Sequence, residues 1–361
     1  EKPQYSLRSR FAHGTRVAWL EEITRRNIGT ELRSFDYVHD DGSVERVPWQ
    51  YQTTRLAGEY YGTNSFGILQ KLDLHYGIEV DGRTFRAGGL DSFSPEARAA
   101  FERQALPVTD RRISPFFQVR SYQGRFHRVL DMEILGLQED FRLGHDVLLR
   151  TFVAAERLGS SRDLVGTQVG LGYTWALGSG LVRVAGETRN VLANEERNEG
   201  IASLALRVAS PRLGPGRLHL DLDGAHRYFD YMNVAPFTLG GNGRLRGFRF
   251  NEFQGKDYFA GNVEFRTRSI DLLSAQVGLA TFYDFGDAFD DTSQFDLKQS
   301  VGVGFRILFP QADRAVLRVD YGLPISPTDD IRLGAVYVTF GQAFGLPGIA
   351  TPSVTSGVSP F

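Results

Sequence analysis

Phe237–Phe248 reads FTLGGNGRLRGF, and two downstream segments belong with it: Asn262–Arg266, NVEFR, and Phe282–Gly286, FYDFG. The first is too rich in glycine for a helix or a regular strand, so it is a loop. It carries Arg244 and Arg246. The other two lie in runs that alternate apolar with small or polar residues, the mark of a half-buried strand. In those runs Glu264 and Asp284 fall opposite the aliphatic residues. A glycine loop with a guanidinium, next to two strands with carboxylates, can make a bidentate, charge-assisted lock.

The alternation spreads outward from there. Val301, Val303, Phe305, Ile307 and Phe309 share one face of their run, with Gly302, Gly304, Arg306 and Leu308 on the other. The next run sets Leu317, Val319, Tyr321 and Leu323 against Val316, Arg318, Asp320 and Gly322. In Leu218–Asp223 every second residue is leucine, with His219, Asp221 and Asp223 between. Aliphatics on one face and charge on the other fit a closed antiparallel sheet around a wet interior. A soluble sandwich or propeller is the competing fold, but the runs are well above the ~5–6 residues usual in globular sheets. Tight turns near 122–125 and 176–180 also alternate with longer polar connections at 190–200 and 287–299. Short turns at one end and long loops at the other is the arrangement of a transmembrane barrel. On this reading arginine at Val303 is costly and serine at Gly304 is mild.

Composition agrees. Gly 40, Phe 27 and Tyr 14 suit strands, turns and aromatic belts. Lys+Arg 41 against Asp+Glu 43 gives no electrostatic case for nucleic acid. Cys 0 excludes disulfides and thiolate–metal sites. No window approaches the ~18 uncharged apolar residues of a membrane-spanning helix, a test to which barrel strands are blind.

Eleven strand runs before the glycine loop and five after it give sixteen, with fourteen or eighteen as alternatives because Tyr5–Ala12 and Thr84–Ala87 are ambiguous. The runs near 29–39 and 126–137 are counted as separate strands. Ser94–Gln104 breaks the pattern: a capping Ser94, Pro95 and Glu96 predict a short helix. Counting reversals back from the glycine loop, taken as extracellular, puts this helix at the periplasmic end. The barrel then occupies residues 1–344, with 237–255 folded into its lumen and Gly345–Phe361 as a flexible tail.

No catalytic constellation assembles. Gly241, Gly243 and Gly247 lack the strand–turn–helix context of a dinucleotide cradle, and no G-x-S-x-G occurs. His219 and His226 fall on opposite faces of one strand, so they share no metal. Glu21-Glu22 and the Asp221/Asp223 pair read as lumen or rim charges. The chain is read as a non-enzyme without cofactor.

The loop Leu245–Phe248, L-R-G-F, preceded by Leu239-Gly240-Gly241, resembles the signature loop of a barrel superfamily of bacterial surface antigen type. That superfamily includes the outer-membrane assembly insertase and the two-partner-secretion transporters. Phe282, Asp284 and Gly286 match its F-x-D-x-G, and Asn262–Arg266 resembles the acidic strand between. The last strand ends in Phe340-Gly341-Gln342-Ala343-Phe344. The likeness is close over 237–344 and holds only by strand pattern before that. It implies a Gram-negative outer membrane, a glycine loop folded into the lumen, and work in polypeptide insertion or passage. It marks Arg246, Gly247, Phe248, Glu264, Phe282, Asp284 and Gly286 as the lock, and Phe340, Gly341 and Phe344 as the seam beside the first strand. Implied partners are outer-membrane lipids, periplasmic or outer-membrane proteins and an unfolded polypeptide client. Family members carry periplasmic repeat domains before the barrel; this chain begins almost at its first strand, so the expectation is a barrel without those domains, either a barrel-only member or a barrel excised from a longer protein. The alternative function is a non-transporting anchor or scaffold for partner proteins.

Overall fold

The computed structural model describes residues 10–194, 196–311, 315–325, 333–342 and 346–349. Sixteen strands form one antiparallel sheet: β1 (Phe11–Arg25), β2 (Gln50–Phe66), β3 (Gln70–Arg86), β4 (Asp110–Gln123), β5 (Arg125–Leu130), β6 (Gln138–Ala154), β7 (Leu164–Leu177), β8 (Gly180–Ala193), β9 (Glu199–Ala209), β10 (Gly216–Asp230), β11 (Asp257–Thr267), β12 (Ile270–Leu272), β13 (Ala275–Phe289), β14 (Lys298–Leu308), β15 (Leu317–Pro324) and β16 (Ala335–Phe340). With two exceptions, neighbours in sequence are neighbours in the sheet.

Two of the sixteen continue a neighbour rather than reverse the chain. β5 pairs with β6 beyond the stretch where β4 does, and β12 likewise extends β11 along β13. The run expected as a strand near 29–39 is not in the sheet: Ser34–Val38 pairs with Val44–Pro48 in a separate hairpin. These differences correct the position of helix α1 (Pro95–Gln104). With no reversal between β4 and β5, α1 lies at the same end of the sheet as the glycine loop, not the opposite one. The helix itself starts as its sequence dictates. The Ser94 hydroxyl accepts from the Ala97 N–H at 3.2 Å, and Pro95 follows it. Ser94 also donates its hydroxyl and backbone N–H to Glu45 of the hairpin, which holds that carboxyl below its usual range.

The polarity of the molecule is inverted. In β14, Val303 and Phe305 are each 53% exposed, whereas Ser300 and Arg306 on the other face are buried. The same holds around the sheet: Trp19, Ile78, Leu149, Leu171, Leu204 and Val338 face out, and Glu59, Asp81, Arg150, Arg207 and Asp221 face in. A soluble protein rarely shows so much contiguous apolar surface. A sheet with an apolar outside and a charged inside is a transmembrane barrel. Many of the inward charges are paired, as in Arg55 with Asp81 at 2.9 Å and Arg120 bidentate to Asp146 at 2.9 and 2.8 Å.

Both ends are covered from within. At the glycine-loop end, α1 packs Phe101 and Ala97 on Val47 of the hairpin. At the other end, the turn 131–137 reaches under the sheet, seating Leu135 against Leu308 and Val316. Asp131 there accepts the Ser269 N–H at 3.1 Å. The segment 346–349 runs back into the lumen. Leu346 joins Met132, Phe141 and Leu181; the Pro347 carbonyl accepts from Arg183; Ile349 is buried against Gly170, where a Cβ would overlap it. The remainder of the segment expected as a flexible tail lies outside the described residues.

Closure is what the ladders leave open. Among the described residues no ladder joins β16 to β1. Val338 and Phe340 of β16 are 66% and 70% exposed, above the facing positions of inner strands such as β14.

Two substitutions on adjacent β14 residues test the inverted polarity. Val303→Arg places charge in lipid and should cost about 2–4 kcal/mol in reversible unfolding from bilayers. The expectation that Gly304→Ser is mild does not hold in the structure, because a Cβ there would overlap Asp320 Oδ1 and crowd Arg306 Nη1 at 2.6 Å. It should cost about 1–3 kcal/mol by overpacking, while Val303→Leu is near neutral.

Candidate functional site

The stretch between β10 and β11 is a loop because its glycines take backbone conformations closed to other residues. Gly240, Gly241 and Gly247 have φ of 107°, 97° and 102°. Its stem is a short hairpin, Phe237–Leu239 with Phe253–Gly255. Beyond the stem the chain enters the lumen, and Leu239, Leu245 and Phe248 bury themselves against Ala260 and Ala288 of the wall. Leu245 holds φ 60° without being glycine, a strain of order 1–2 kcal/mol that the surrounding contacts must hold in place.

That strain aims the next side chain. Arg246 is fully buried, as are Glu264, Asp284 and Asp320. Its Nε and Nη2 donate to the two oxygens of Asp284 at 2.8 and 2.9 Å, and its backbone N–H donates to the same carboxylate at 2.9 Å. Nη1 donates to Glu264 at 2.9 Å and to Asp320 at 3.1 Å. The guanidinium carbon lies 3.3 Å from the centroid of the Phe282 ring. All three guanidinium nitrogens donate, in four hydrogen bonds, to a fixed pocket of carboxylates capped by one aromatic face, a use to which lysine is not suited.

The carboxylates are shared further. Glu264 accepts from Arg266 at 2.7 Å and from Arg306 at 3.2 Å, and Asp320 accepts from Arg306 at 2.5 Å. Asn262 donates to Asp284. The cluster is thus a closed set of alternating charges carried by the loop and by β11, β13, β14 and β15. Parity put Glu264, Phe282 and Asp284 on the inward face, and the structure brings all three to Arg246.

Other expected residues do different work. Gly286 does not touch Arg246; it sits opposite Ala260, where a Cβ would overlap the Phe259 carbonyl, so it serves close strand pairing. Gly247 meets the backbone of β15, its Cβ position lying 3.0 Å from the Gly322 carbonyl carbon. Gly322 has the reciprocal constraint, 2.6 Å from Gly247 N. Of the seam set, Phe340 faces outward and Gly341 donates its N–H to Val316 O at 2.8 Å; Phe344 lies outside the described residues.

Asp320, Arg306, Arg266 and Tyr337 were not singled out from the sequence. The first two lay on faces already read as inward, so parity gave a signal that was not used. Tyr337 gave none. Its hydroxyl accepts the Gly247 N–H at 3.2 Å and donates to the Phe248 carbonyl, which ties the loop to β16 beside the open edge. The loop also touches the end cap: Gly29 N–H donates to Phe250 O at 2.7 Å and Arg33 to Gln254 at 2.8 Å.

Residues 234–344 match the family model described as the Omp85 superfamily domain. No curated protein matches the chain in sequence. Among solved structures, CdiB from Escherichia coli superposes with a TM-score of 0.43 at 14% identity, over 85% of this chain and 58% of that one. CdiB from Acinetobacter baumannii superposes with 0.41 at 12% identity, over 93% of this chain and 66% of that one. The chain therefore spans less than two thirds of the length of either.

Arg246→Ala leaves three buried carboxylates without their central cation and should cost about 3–5 kcal/mol. Asp284→Asn combined with it should recover part of that loss, since the two act on one interaction. Equilibrium unfolding of the four proteins of the cycle measures the coupling. Limited proteolysis should cut the loop in the Arg246 variant and spare it in the parent.

Proposed function

We propose, from the Omp85 superfamily domain carried by residues 234–344, that this chain is an outer-membrane barrel that assists insertion of polypeptides into that membrane or their passage across it. The observation that carries the reading is the tie from Tyr337 to the inserted loop, next to an edge that no described ladder closes. An open edge offers unpaired N–H and C=O groups, which template an incoming strand. In hydrocarbon such groups cost several kcal/mol each, so the edge is a place where an added strand gains free energy. The Arg246 cluster keeps the loop in the lumen, and the Tyr337 hydroxyl transmits the loop's position to β16. The client is an unfolded polypeptide delivered by periplasmic or outer-membrane partner proteins. The chain performs no covalent chemistry in this scheme and needs no cofactor.

The chain contains no cysteine, so the seam can be locked with introduced pairs. Cysteines scanned along 15–21 of β1 and 335–340 of β16 should yield at least one pair that oxidises in the membrane. Oxidation should arrest insertion of a client barrel in reconstituted vesicles, and reduction should restore it. A formed disulfide that leaves insertion unchanged would exclude the seam and favour a non-transporting anchor for partner proteins.

A further inference from the structure

At the end opposite the glycine loop, the turn 131–137 and the first residues of β10 help enclose a cavity of about 80 Å³. Its lining holds five arginines, at 212, 217, 266, 268 and 306, against two carboxylates, Asp131 and Glu133. Both carboxylates are already engaged. Asp131 accepts two backbone N–H groups, and Glu133 pairs with Arg207 and, at 3.7 Å, with Arg266 of the lining, which leaves Arg212, Arg217 and Arg268 as the lining arginines without a carboxylate among the described residues. The cavity therefore has a surplus of positive charge facing it.

Arg217 is the sharpest case. It is 3% exposed, and one nitrogen, Nη1, donates to the carbonyls of Ser179 at 2.6 Å and Ser210 at 2.5 Å. Its Nε and Nη2 are buried and have no acceptor, and it makes no ion pair among the described residues. Arg266 Nη2 and Arg306 Nε are buried donors without acceptors in the same lining. A buried guanidinium without a counter-charge is among the costlier arrangements in a protein. Water can satisfy the donors, since a cavity this size holds several molecules, but water does not neutralise the charge. An oxyanion does both, and planar guanidinium forks fit phosphate oxygens.

The position narrows the source. Leu279, on the outward face of β13, also lines the cavity, and Arg212 and Arg268 are exposed at its mouth. An outward-facing leucine and two exposed arginines at the turn end of a membrane barrel are the setting in which lipid headgroups are met.

The geometry points to a phosphate-binding site here, taking the phosphate of a lipid headgroup or free phosphate. Its reach is more than local, because Arg266 and Arg306 also bind Glu264 of the Arg246 cluster. Occupancy here bears on the same carboxylate that holds the loop. The site stands independently of the insertion reading.

The test is thermal unfolding of delipidated protein in detergent, titrated with inorganic phosphate in one arm and short-chain phosphatidylglycerol in the other. One or both should raise Tm in a saturable way, and native mass spectrometry should show one bound phosphate or lipid. A response to the lipid alone identifies a headgroup site, and a response in both arms an oxyanion site open to either source. Arg217→Gln should weaken binding about tenfold or more, and without ligand should be at least as stable as the parent because it removes an unpaired buried charge. Arg268→Gln, at the exposed mouth, should fold normally and weaken binding several-fold. The proposal fails if neither ligand shifts Tm, or if both variants respond as the parent does. It also fails if Arg217→Gln is less stable without ligand while Arg268→Gln binds normally, the result of a purely structural tie to Ser179 and Ser210.

Discussion

A guanidinium with no contact with solvent has to be neutralised where it stands. Arg246 is placed in that position by a loop that has entered a barrel lumen, and three carboxylates from three different strands converge on it. Desolvation makes each member of such a set costly alone. Their free energy is favourable only when the loop is in, β11, β13 and β15 are in register, and Arg306 and Arg266 complete the outer ring. The cluster therefore specifies a geometry more than it adds net stability. It also accounts for the strained Leu245 backbone and the Gly247–Gly322 contact, which are tolerable because moving either would withdraw Arg246 from its partners.

The two ends of the barrel solve different problems. At the glycine-loop end the lumen is covered by α1, the Ser34–Val38 hairpin and the loop stem; Ser94 at the start of α1 donates to Glu45 of the hairpin, and the segment after α1 is tied to the one after β10 by Val108 N–H to Met232 O. At the other end, beside the arginine-lined cavity, the interior also carries apolar positions: Leu308, Leu181 and Phe141 face in and are met by Leu135, Met132 and Leu346. An inward-facing leucine in a water-filled lumen would gain nothing, so these positions require a protein segment over them. The turn 131–137 and the segment 346–349 supply it, and Gly170 makes room for Ile349.

Much of this was legible in the sequence, and the losses have definite causes. A period of two states which face a residue occupies, so the inward positions of Glu264, Phe282, Asp284 and Asp320 were readable. Period says nothing about height along the barrel axis, and height decides which inward charges meet. Asp320 and Arg306 were thus known to face the lumen without being known to touch Arg246. Reversals are also invisible to period: β4 and β5 read as two strands because Gly124 interrupts one ladder, and that single miscount moved α1 to the wrong end. Gly304 was misjudged for a related reason. Its face was right, but its smallness is required by Asp320, its partner on the adjacent strand β15, a contact between strands that no local pattern encodes. Tyr337 lay beyond reach because its role is a hydroxyl geometry toward two backbone groups of a distant loop.

The open edge follows from the same physics. β15 pairs with β16 over Leu317–Gly322, fewer positions than join β1 to β2 over the whole of β1. A short terminal strand contributes little ladder energy, so the two bonds of the Tyr337 hydroxyl add to the few that hold it to β15. That gives β16 two masters, the sheet and the loop. A loop withdrawn from the lumen would release Tyr337 and leave β16 held by its short ladder alone. The Arg246 cluster and β16 are therefore linked through the inserted loop, with the Tyr337 hydroxyl as the connecting contact.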